Sequence, residues 1–183
     1  MLELSIALPI RVQNGGLFIS RGVGRHPARK LSSWEIIFVE KGTLTIQEEN
    51  TLFEVNAGES LLLWPKRRHV GVEDFPGDLK FYWLHFEVKP GPSALPEASP
   101  LTIEQHCCVR DVPSVIALFR QFLSEQEKLQ RSQALEIILL LILQQISLSP
   151  GYEDKADDAG AAMAWKAKQL IRTHFHLPLS TSQ

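Results

Sequence analysis

The chain has 183 residues, of which 44% are apolar and 22% are charged, and its formal net charge at neutral pH is -2. This length supports one main folded domain with appended helices. Because a protein that neutralises phosphates needs clustered Lys and Arg, the nearly balanced charge excludes tight DNA binding by this chain itself.

The cysteines and the hydropathy pattern indicate a reducing compartment and no membrane span. Cys107 and Cys108 are adjacent, and a disulfide between neighbours would be strained, so two reduced thiols are expected. The longest uninterrupted apolar stretch, residues 137–143, is far shorter than the roughly 20 residues that cross a bilayer. The first residues lack the basic start of a signal peptide. We therefore expect a cytoplasmic protein without a membrane partner.

The first part of the chain predicts little regular structure. Residues 2–20 contain a proline and the turn pair Gly15-Gly16, and only residues 17–19 favour a short strand. The segment before Ser20 is therefore predicted to begin as a flexible arm. A polar, basic connection follows it.

The main fold signal lies in residues 34–88, where short apolar runs are separated by Gly and Pro. The predicted strands cover residues 34–41, 43–47, 52–55, 60–64 and 79–88. Runs of this length and spacing predict a small antiparallel β-barrel. Its aromatic and His residues are placed where such a barrel encloses a ligand.

Two helices are predicted after a boundary at residues 90–100, where five of eleven residues are Pro or Gly. Asp111 is placed to cap the first helix, which has one apolar stripe. The second helix, residues 132–147, is apolar around most of its circumference, so one neighbour cannot cover it. We therefore predict a homodimer formed by the same helices of a second copy. The residues assigned to that interface are Leu135, Ile138, Leu139, Ile142, Leu143 and Ile146.

The end of the chain has a different composition. Residues 151–160 are acidic and poor in apolar side chains, which is typical of a solvated linker. Residues 161–183 are more basic and predict one short amphipathic helix, which cannot form a domain alone. We expect a fragment that ends just inside a second domain. The predicted organisation is then an arm and barrel in 1–100, a helical pair in 101–150, the linker, and the start of another domain.

Several of these motifs together resemble the amino-terminal effector domain of the AraC family of transcription regulators. They are His26-Pro27-Ala28-Arg29, Trp34, Gly42, Gly58, Pro65, His69 and Tyr82-Trp83-Leu84-His85-Phe86. Residues 164–183 are similar to the first helix and turn of that family's paired helix-turn-helix domain. The resemblance implies a mainly β fold with appended α, a cupin-like antiparallel β-barrel (jelly roll) followed by an antiparallel helical hairpin that dimerises. It also implies a small effector, often a sugar, and DNA binding only through a domain absent from this chain.

A metal-dependent cupin enzyme is one alternative, and a barrel that serves dimerisation only is another. Cupin metal sites resemble a His-x-His pair with a later Glu and a later His, but residues 32–34 offer no His. Only His69 remains, and a catalytic metal site needs at least three ligands, so no metal and no cofactor are expected. No Gly-x-Ser-x-Gly motif supports nucleophilic catalysis. The sequence therefore predicts a sensor and not an enzyme.

The residues assigned to effector binding are Arg29, His69, Trp83 and His85, with Trp34 and Trp64 as second choices. Trp83 offers an apolar platform for the face of a sugar, while Arg29 and His69 can donate hydrogen bonds to hydroxyls or a carboxylate. A structural interpretation stays open, because buried Trp and His residues often serve only the core. In the expected mechanism, the effector orders the arm over the barrel mouth and biases how the dimer presents the DNA-binding domains.

Overall fold

The computed structural model describes residues 2–3, 7–89 and 100–147. The chain divides into two compact units, residues 1–150 and 151–183. The predicted linker and basic helix in 151–183 lie outside the described residues, as does almost all of the predicted boundary segment that precedes residue 100.

The described residues form strands followed by a pair of helices. The strands are β1 (Ile10–Ile19), β2 (Arg29–Lys30), β3 (Trp34–Lys41), β4 (Thr43–Glu48), β5 (Thr51–Asn56), β6 (Glu59–Leu63), β7 (Arg68–Gly71), β8 (Lys80–Val88) and β9 (His106–Cys108). The helices are α1 (Val112–Gln126) and α2 (Ala134–Ser147). The predicted mainly β fold with an appended helical pair is confirmed.

The strands form two antiparallel sheets that enclose a common interior. The five-stranded sheet has the order β1-β8-β3-β6-β9, and the four-stranded sheet has the order β2-β7-β4-β5. From β1 to β8 the chain passes repeatedly from one sheet to the other, with only the β4–β5 pair consecutive in one sheet, as expected for the cupin-like jelly roll.

The five-stranded sheet is buried on both faces, which explains the continuous apolar run of β3. Ile36 and Phe38 lie in a core shared with the helices, whereas Ile37 and Val39 lie in the core between the two sheets. Because successive side chains of a strand point to opposite faces, a strand covered on both sides needs apolar residues at every position.

The helices cover the outer face of this sheet. Phe119 of α1 stacks on Tyr82 and Phe38, with ring centroids 5.0 Å and 6.2 Å apart. The predicted cap is present, since Asp111 Oδ1 accepts a hydrogen bond from Ser114 N at 3.1 Å. No helix in the described ranges has both the length and the apolar character needed to span a bilayer.

The flexible arm predicted before Ser20 is wrong for residues 10–16, which form β1 together with the predicted strand residues 17–19. This strand pairs with β8 from Ile10 opposite Val88 to Ile19 opposite Lys80, with one irregularity after Val12. The glycines that suggested a turn lie inside the strand. A Cβ on Gly15 would lie 2.8 Å from Phe122 Cε1, and one on Gly16 would lie 2.7 Å from Trp83 Cζ2. Glycine is needed there for close packing and not for a reversal of the chain.

The six α2 residues assigned to the dimer interface are buried within the single chain. They belong to the core shared by the helices and the five-stranded sheet. The neighbour that covers them is the chain's own barrel, so the predicted interface residues need correction. The large apolar residues that α2 exposes are Ile137 and Leu141, at 40% and 48% exposure.

The barrel also extends beyond the boundary predicted at residue 100. β9 pairs with β6, with Ser60 opposite Cys107 and Glu59 opposite Cys108. Both cysteines are free, Cys107 buried and Cys108 exposed. A three-residue strand carries too little alternation to be recognised from sequence alone.

Candidate functional site

Strand alternation directs a group of polar side chains into the barrel interior. Glu35 of β3 is in phase with Ile37, and His85 of β8 is in phase with Trp83, which packs on the interior core. The register places Glu35 directly opposite His85. Their side chains are therefore neighbours on the interior face of the sheet.

Glu35 lies between two buried imidazoles. Its Oε2 is 3.9 Å from His69 Nε2, and its Oε1 is 3.8 Å from His85 Nε2. Both distances are too long for hydrogen bonds. Within the described ranges, Glu35 Oε2 and both ring nitrogens of His69 have no hydrogen-bond partner, although the two residues are only 3% and 2% exposed. Buried polar atoms of this kind usually find a partner, so their lack of one marks a candidate site.

His26 completes the group from the segment before β2. Its ring centroid lies 5.3 Å from that of His69, and its Nδ1 lies 3.0 Å from the carbonyl oxygen of Pro27. Gly71 at the end of β7 holds this segment, because its N–H donates to the His26 carbonyl oxygen at 2.9 Å. A Cβ on Gly71 would lie 2.6 Å from His26 N, so only glycine permits this approach.

Burial shifts the proton affinities of the group. It raises the pKa of Glu35 to about 7, although the nearby charge of Arg29 opposes the rise. Burial also lowers the pKa of His26 and of His85 to about 4, with further lowering by neighbouring charges. The pKa of His69 is lowered by burial too, while the charge of Glu48 acts in the opposite direction. At neutral pH the three imidazoles are therefore uncharged, and each has a nitrogen lone pair.

Arg29 and Glu48 flank His69 on the four-stranded sheet. Arg29 lies opposite His69 in the β2–β7 pair, with an exposed side chain, and Glu48 lies opposite His69 in the β4–β7 pair. Glu48 is buried but satisfied, since Trp64 N and Gln105 Nε2 each donate to it at 2.6 Å. Of these two carboxylates, Glu35 is therefore the one with an oxygen that lacks a hydrogen-bond donor among the described residues.

The structure separates the tryptophans that were assigned to the ligand. Trp83 lies in the interior, with its ring centroid 5.2 Å from that of His85. Trp34 instead packs against the helix-facing core, and its ring lies 4.6 Å from that of Trp64. Trp64 is 40% exposed and carries the Arg67 guanidinium over its ring. This placement removes Trp34 and Trp64 from the interior group.

Sequence reasoning missed His26 and Glu35. A signal for Glu35 exists, because a carboxylate inside an apolar run that is buried on both faces must itself be buried. His26 gives no comparable signal, since its position depends on the close approach of Gly71. The expectation that only His69 remains as a metal ligand is wrong, because ligand atoms of His26, Glu35 and His69 all lie within 4.8 Å of one another.

Comparison with known families identifies the domain. A family model described as the AraC-like ligand binding domain matches residues 20–143, which is more than half of the chain. The chain belongs to this family. The AraC-like domain is also 38% identical over 77 residues to an uncharacterized HTH-type transcriptional regulator, YisR, of Bacillus subtilis (strain 168). That match covers 39% of this chain and 27% of the regulator, so the chain spans about a quarter of that relative's length.

Solved structures similar to the AraC-like domain are distant. The plu4264 protein of Photorhabdus luminescens is 20% identical, with a TM-score of 0.36 over 42% of this chain and 62% of that chain. The S161A mutant of Bacillus subtilis oxalate decarboxylase OxdC is 6% identical, with a TM-score of 0.37 over 46% of this chain and 23% of that chain. Similarity at this level carries no functional argument.

Proposed function

We propose that this chain is the effector-sensing part of a cytoplasmic AraC-type transcription regulator and that its barrel interior binds a small polar metabolite of the carbohydrate class. The observation that supports this most directly is the set of buried polar atoms on Glu35 and His69 that have no hydrogen-bond partner in the part of the chain that the structure describes. A ligand that supplies hydroxyl groups would satisfy a carboxylate oxygen and an imidazole nitrogen together.

The surroundings of these atoms suit a sugar. Trp83 lies beside His85 and offers an apolar ring surface, which can pack against the C–H face of a pyranose. Arg29 is exposed next to His69 and adds donors for a hydroxyl or a carboxylate. Apolar walls with a few polar anchors are the usual composition of a small-molecule site.

The five-stranded sheet provides the route from effector to helices. β8 carries Trp83 and His85 on its interior face and Tyr82 and Leu84 on the face that packs against the helices. An effector that shifts β8 therefore also shifts the packing of α1 and α2. The earlier expectation of an arm closing over the mouth does not hold for β1, which is paired along its length.

A homodimer remains part of the proposal, but with a different contact surface. Ile137 and Leu141 are one helical turn apart on the exposed side of α2, with the half-buried Leu140 beside them. A second copy that covers these residues would connect two sensors. Contact with DNA is then made only by other parts of the regulator, and no catalysis is required.

Thermal denaturation of the chain across sugars, sugar acids and uronates tests the proposal. A ligand at a hundred times its dissociation constant adds about 2.7 kcal/mol to the free energy of unfolding. We expect stabilisation that is lost in Trp83→Ala and His69→Ala and kept in Trp64→Ala, which changes a Trp outside the interior. A failure of every such ligand to stabilise the wild type at millimolar concentration would favour a barrel that serves dimerisation only.

A further inference from the structure

We propose that the barrel interior contains a binding site for a divalent transition-metal ion, formed by His26, Glu35 and His69. Each residue offers one ligand atom, and these atoms all lie within 4.8 Å of one another. All three side chains are buried. Two imidazoles and one carboxylate are a donor set typical of Zn²⁺ and other first-row divalent ions, and three protein ligands leave a coordination position open. Because the ion uses the same Glu35 and His69 atoms as the effector site proposed above, an effector in the metal-loaded barrel would bind at the open coordination position instead of at those atoms.

The unpartnered atoms of the group support a ligand that interacts with several residues at once. Glu35 Oε2 and His69 Nε2 lie 3.9 Å apart, and in the described part of the chain neither has a hydrogen-bond partner. Leaving a buried polar atom unsatisfied destabilises the folded chain, because the atom has lost its hydrogen bonds to water. One cation between the oxygen and the nitrogen would satisfy both.

A hydrogen bond to the Pro27 carbonyl oxygen fixes the tautomer of His26, the third proposed ligand. Pro27 O can only accept a hydrogen bond, so at 3.0 Å the Nδ1 of His26 must be the donor. The proton is then on Nδ1, and Nε2 keeps its lone pair. Donation of one ring N–H to a backbone carbonyl is the usual arrangement for a metal-binding His.

The spacing is compatible with one ion after small side-chain rotations. With metal–ligand bonds of about 2.1 Å, two donors on one ion are at most about 4.2 Å apart and about 3.4 Å apart in a tetrahedral site. The Glu35–His69 pair falls between these limits, and a pair at 4.8 Å must close by at least about 0.6 Å. The positive charge of Arg29 opposes a cation, but its side chain is exposed and solvent screens it.

The same chain offers a matched control at its surface. His106 Nε2 lies 2.9 Å from Glu59 Oε2, and Cys108 Sγ lies 3.6 Å from Glu59 Oε1. This cluster has metal-binding residue types as well, but its members already bond one another. Binding that depended on His106 would therefore place the ion at the surface.

Equilibrium dialysis of the chelator-treated, full 183-residue chain against Zn²⁺, followed by metal analysis, tests the site. We expect one Zn²⁺ per chain in the wild type and in His106→Gln, and at least about tenfold weaker binding in His26→Gln and Glu35→Gln. Zn²⁺ should also raise the melting temperature of the wild type but not that of Glu35→Gln.

Glu35→Gln is chosen because we expect it to fold, so that a loss of metal binding cannot be attributed to unfolding. Glu35→Gln removes a buried carboxylate whose Oε2 has no hydrogen-bond partner among the described residues, so we expect the metal-free variant to unfold at the wild-type temperature or above it. The Co²⁺-loaded wild type should show no thiolate-to-metal charge-transfer band, since Cys108 is not a ligand in this site. Absence of bound Zn²⁺ in the wild type, equal binding by Glu35→Gln, or loss of binding in His106→Gln would each overturn the proposal.

Discussion

Glu35 lies directly opposite His85 across β3 and β8, yet its Oε1 is 3.8 Å from His85 Nε2 and forms no hydrogen bond with it. The nearby Glu48 is equally buried but accepts hydrogen bonds from Trp64 N, Arg67 and Gln105. Two carboxylates therefore face the same interior, but one accepts several hydrogen bonds and the other has an oxygen that accepts none among the described residues. Glu48 is part of the structure of the barrel, whereas Glu35 has an oxygen without a hydrogen-bond partner among the described residues and is the carboxylate that we propose for ligand binding.

The metal-free protein should lose stability as Glu35 ionises. The unfolded chain ionises near the ordinary pKa of 4.5, while the folded chain holds the proton until about pH 7. Since the unfolded state has the fewer protons in this window, the free energy of unfolding falls as the pH rises from 4.5 through 7. Relative to Glu35→Gln, we expect the wild type to lose up to about 3 kcal/mol. Urea denaturation in chelator between pH 4.5 and 8 measures this difference.

The comparison with Glu35→Gln isolates one group. His26 and His85 titrate in both proteins, so their contributions to the pH dependence cancel in the difference. Stability curves that run parallel for wild type and variant across this range would show that Glu35 has an ordinary pKa in the folded protein.

Gly71→Ala should damage the site without changing any of its polar groups. The added Cβ would lie 2.6 Å from His26 N and must push the His26 backbone away. We expect a loss of about 1–3 kcal/mol in the free energy of unfolding and weaker Zn²⁺ binding. Gly77→Ala is the control, because the nearest atom to its added Cβ is 3.9 Å away. If both variants have wild-type stability and metal binding, the close approach of Gly71 does not position His26.

Short apolar runs separated by Gly and Pro made the barrel predictable, but they did not reveal all residues of the candidate site. The runs between residues 34 and 88 gave most of the strands because β3, β6 and β8 bury apolar residues on one or both faces. The predicted strand over residues 79–88 contains Trp83 and His85, whereas β7, which carries His69, was not among the predicted strands. Their role in binding an effector remains a prediction.

The other features of the fold and the site, namely β1, the position of His26 and the packing of α2, depend on contacts between residues that are distant in sequence. β1 was mistaken for an arm because its glycines make room for Phe122 and Trp83, and those neighbours are distant in sequence. His26 reaches the site through the backbone of Gly71. The burial of α2 against its own domain and a second copy was predicted, but the six residues assigned to the second copy pack in the core shared with the sheet of the same chain.

The two faces of α2 should therefore respond differently to substitution. Leu139 is fully buried against the barrel, so Leu139→Ala should lower the free energy of unfolding by about 2–5 kcal/mol. The double variant Ile137→Gln, Leu141→Gln changes exposed residues and should keep its melting temperature while shifting the mass in solution from dimer to monomer. Light scattering and thermal denaturation measure the two properties. An unchanged dimer in the double variant would exclude this surface as the contact.

Glu136→Gln should weaken the attachment of α2 to β1. Glu136 Oε1 accepts hydrogen bonds from Val12 N at 3.2 Å and from Arg131 Nη2 at 2.6 Å. Burial alone would raise the pKa of Glu136, but the hydrogen bonds from Arg131 and Val12 outweigh it, so the pKa lies below its ordinary value. A carboxylate with a depressed pKa contributes stability above pH 4.5, and this contribution is lost as the pH falls through the folded-state pKa.

We therefore expect Glu136→Gln to be about 1.5–3 kcal/mol less stable than the wild type at pH 7, because hydrogen bonds to a charged group are lost. The difference should begin to shrink below pH 4.5, where the unfolded wild type takes up the proton first, and it should be lost once the pH falls below the folded-state pKa. Asp74→Asn is the control, since Asp74 pairs with Arg25 on the exposed surface and such pairs contribute about 1 kcal/mol or less. Urea denaturation of the wild type and the two variants at pH 7 and pH 4 measures these differences in the free energy of unfolding. If Glu136→Gln and Asp74→Asn lowered the free energy of unfolding equally at pH 7, Glu136 would act only as a surface charge.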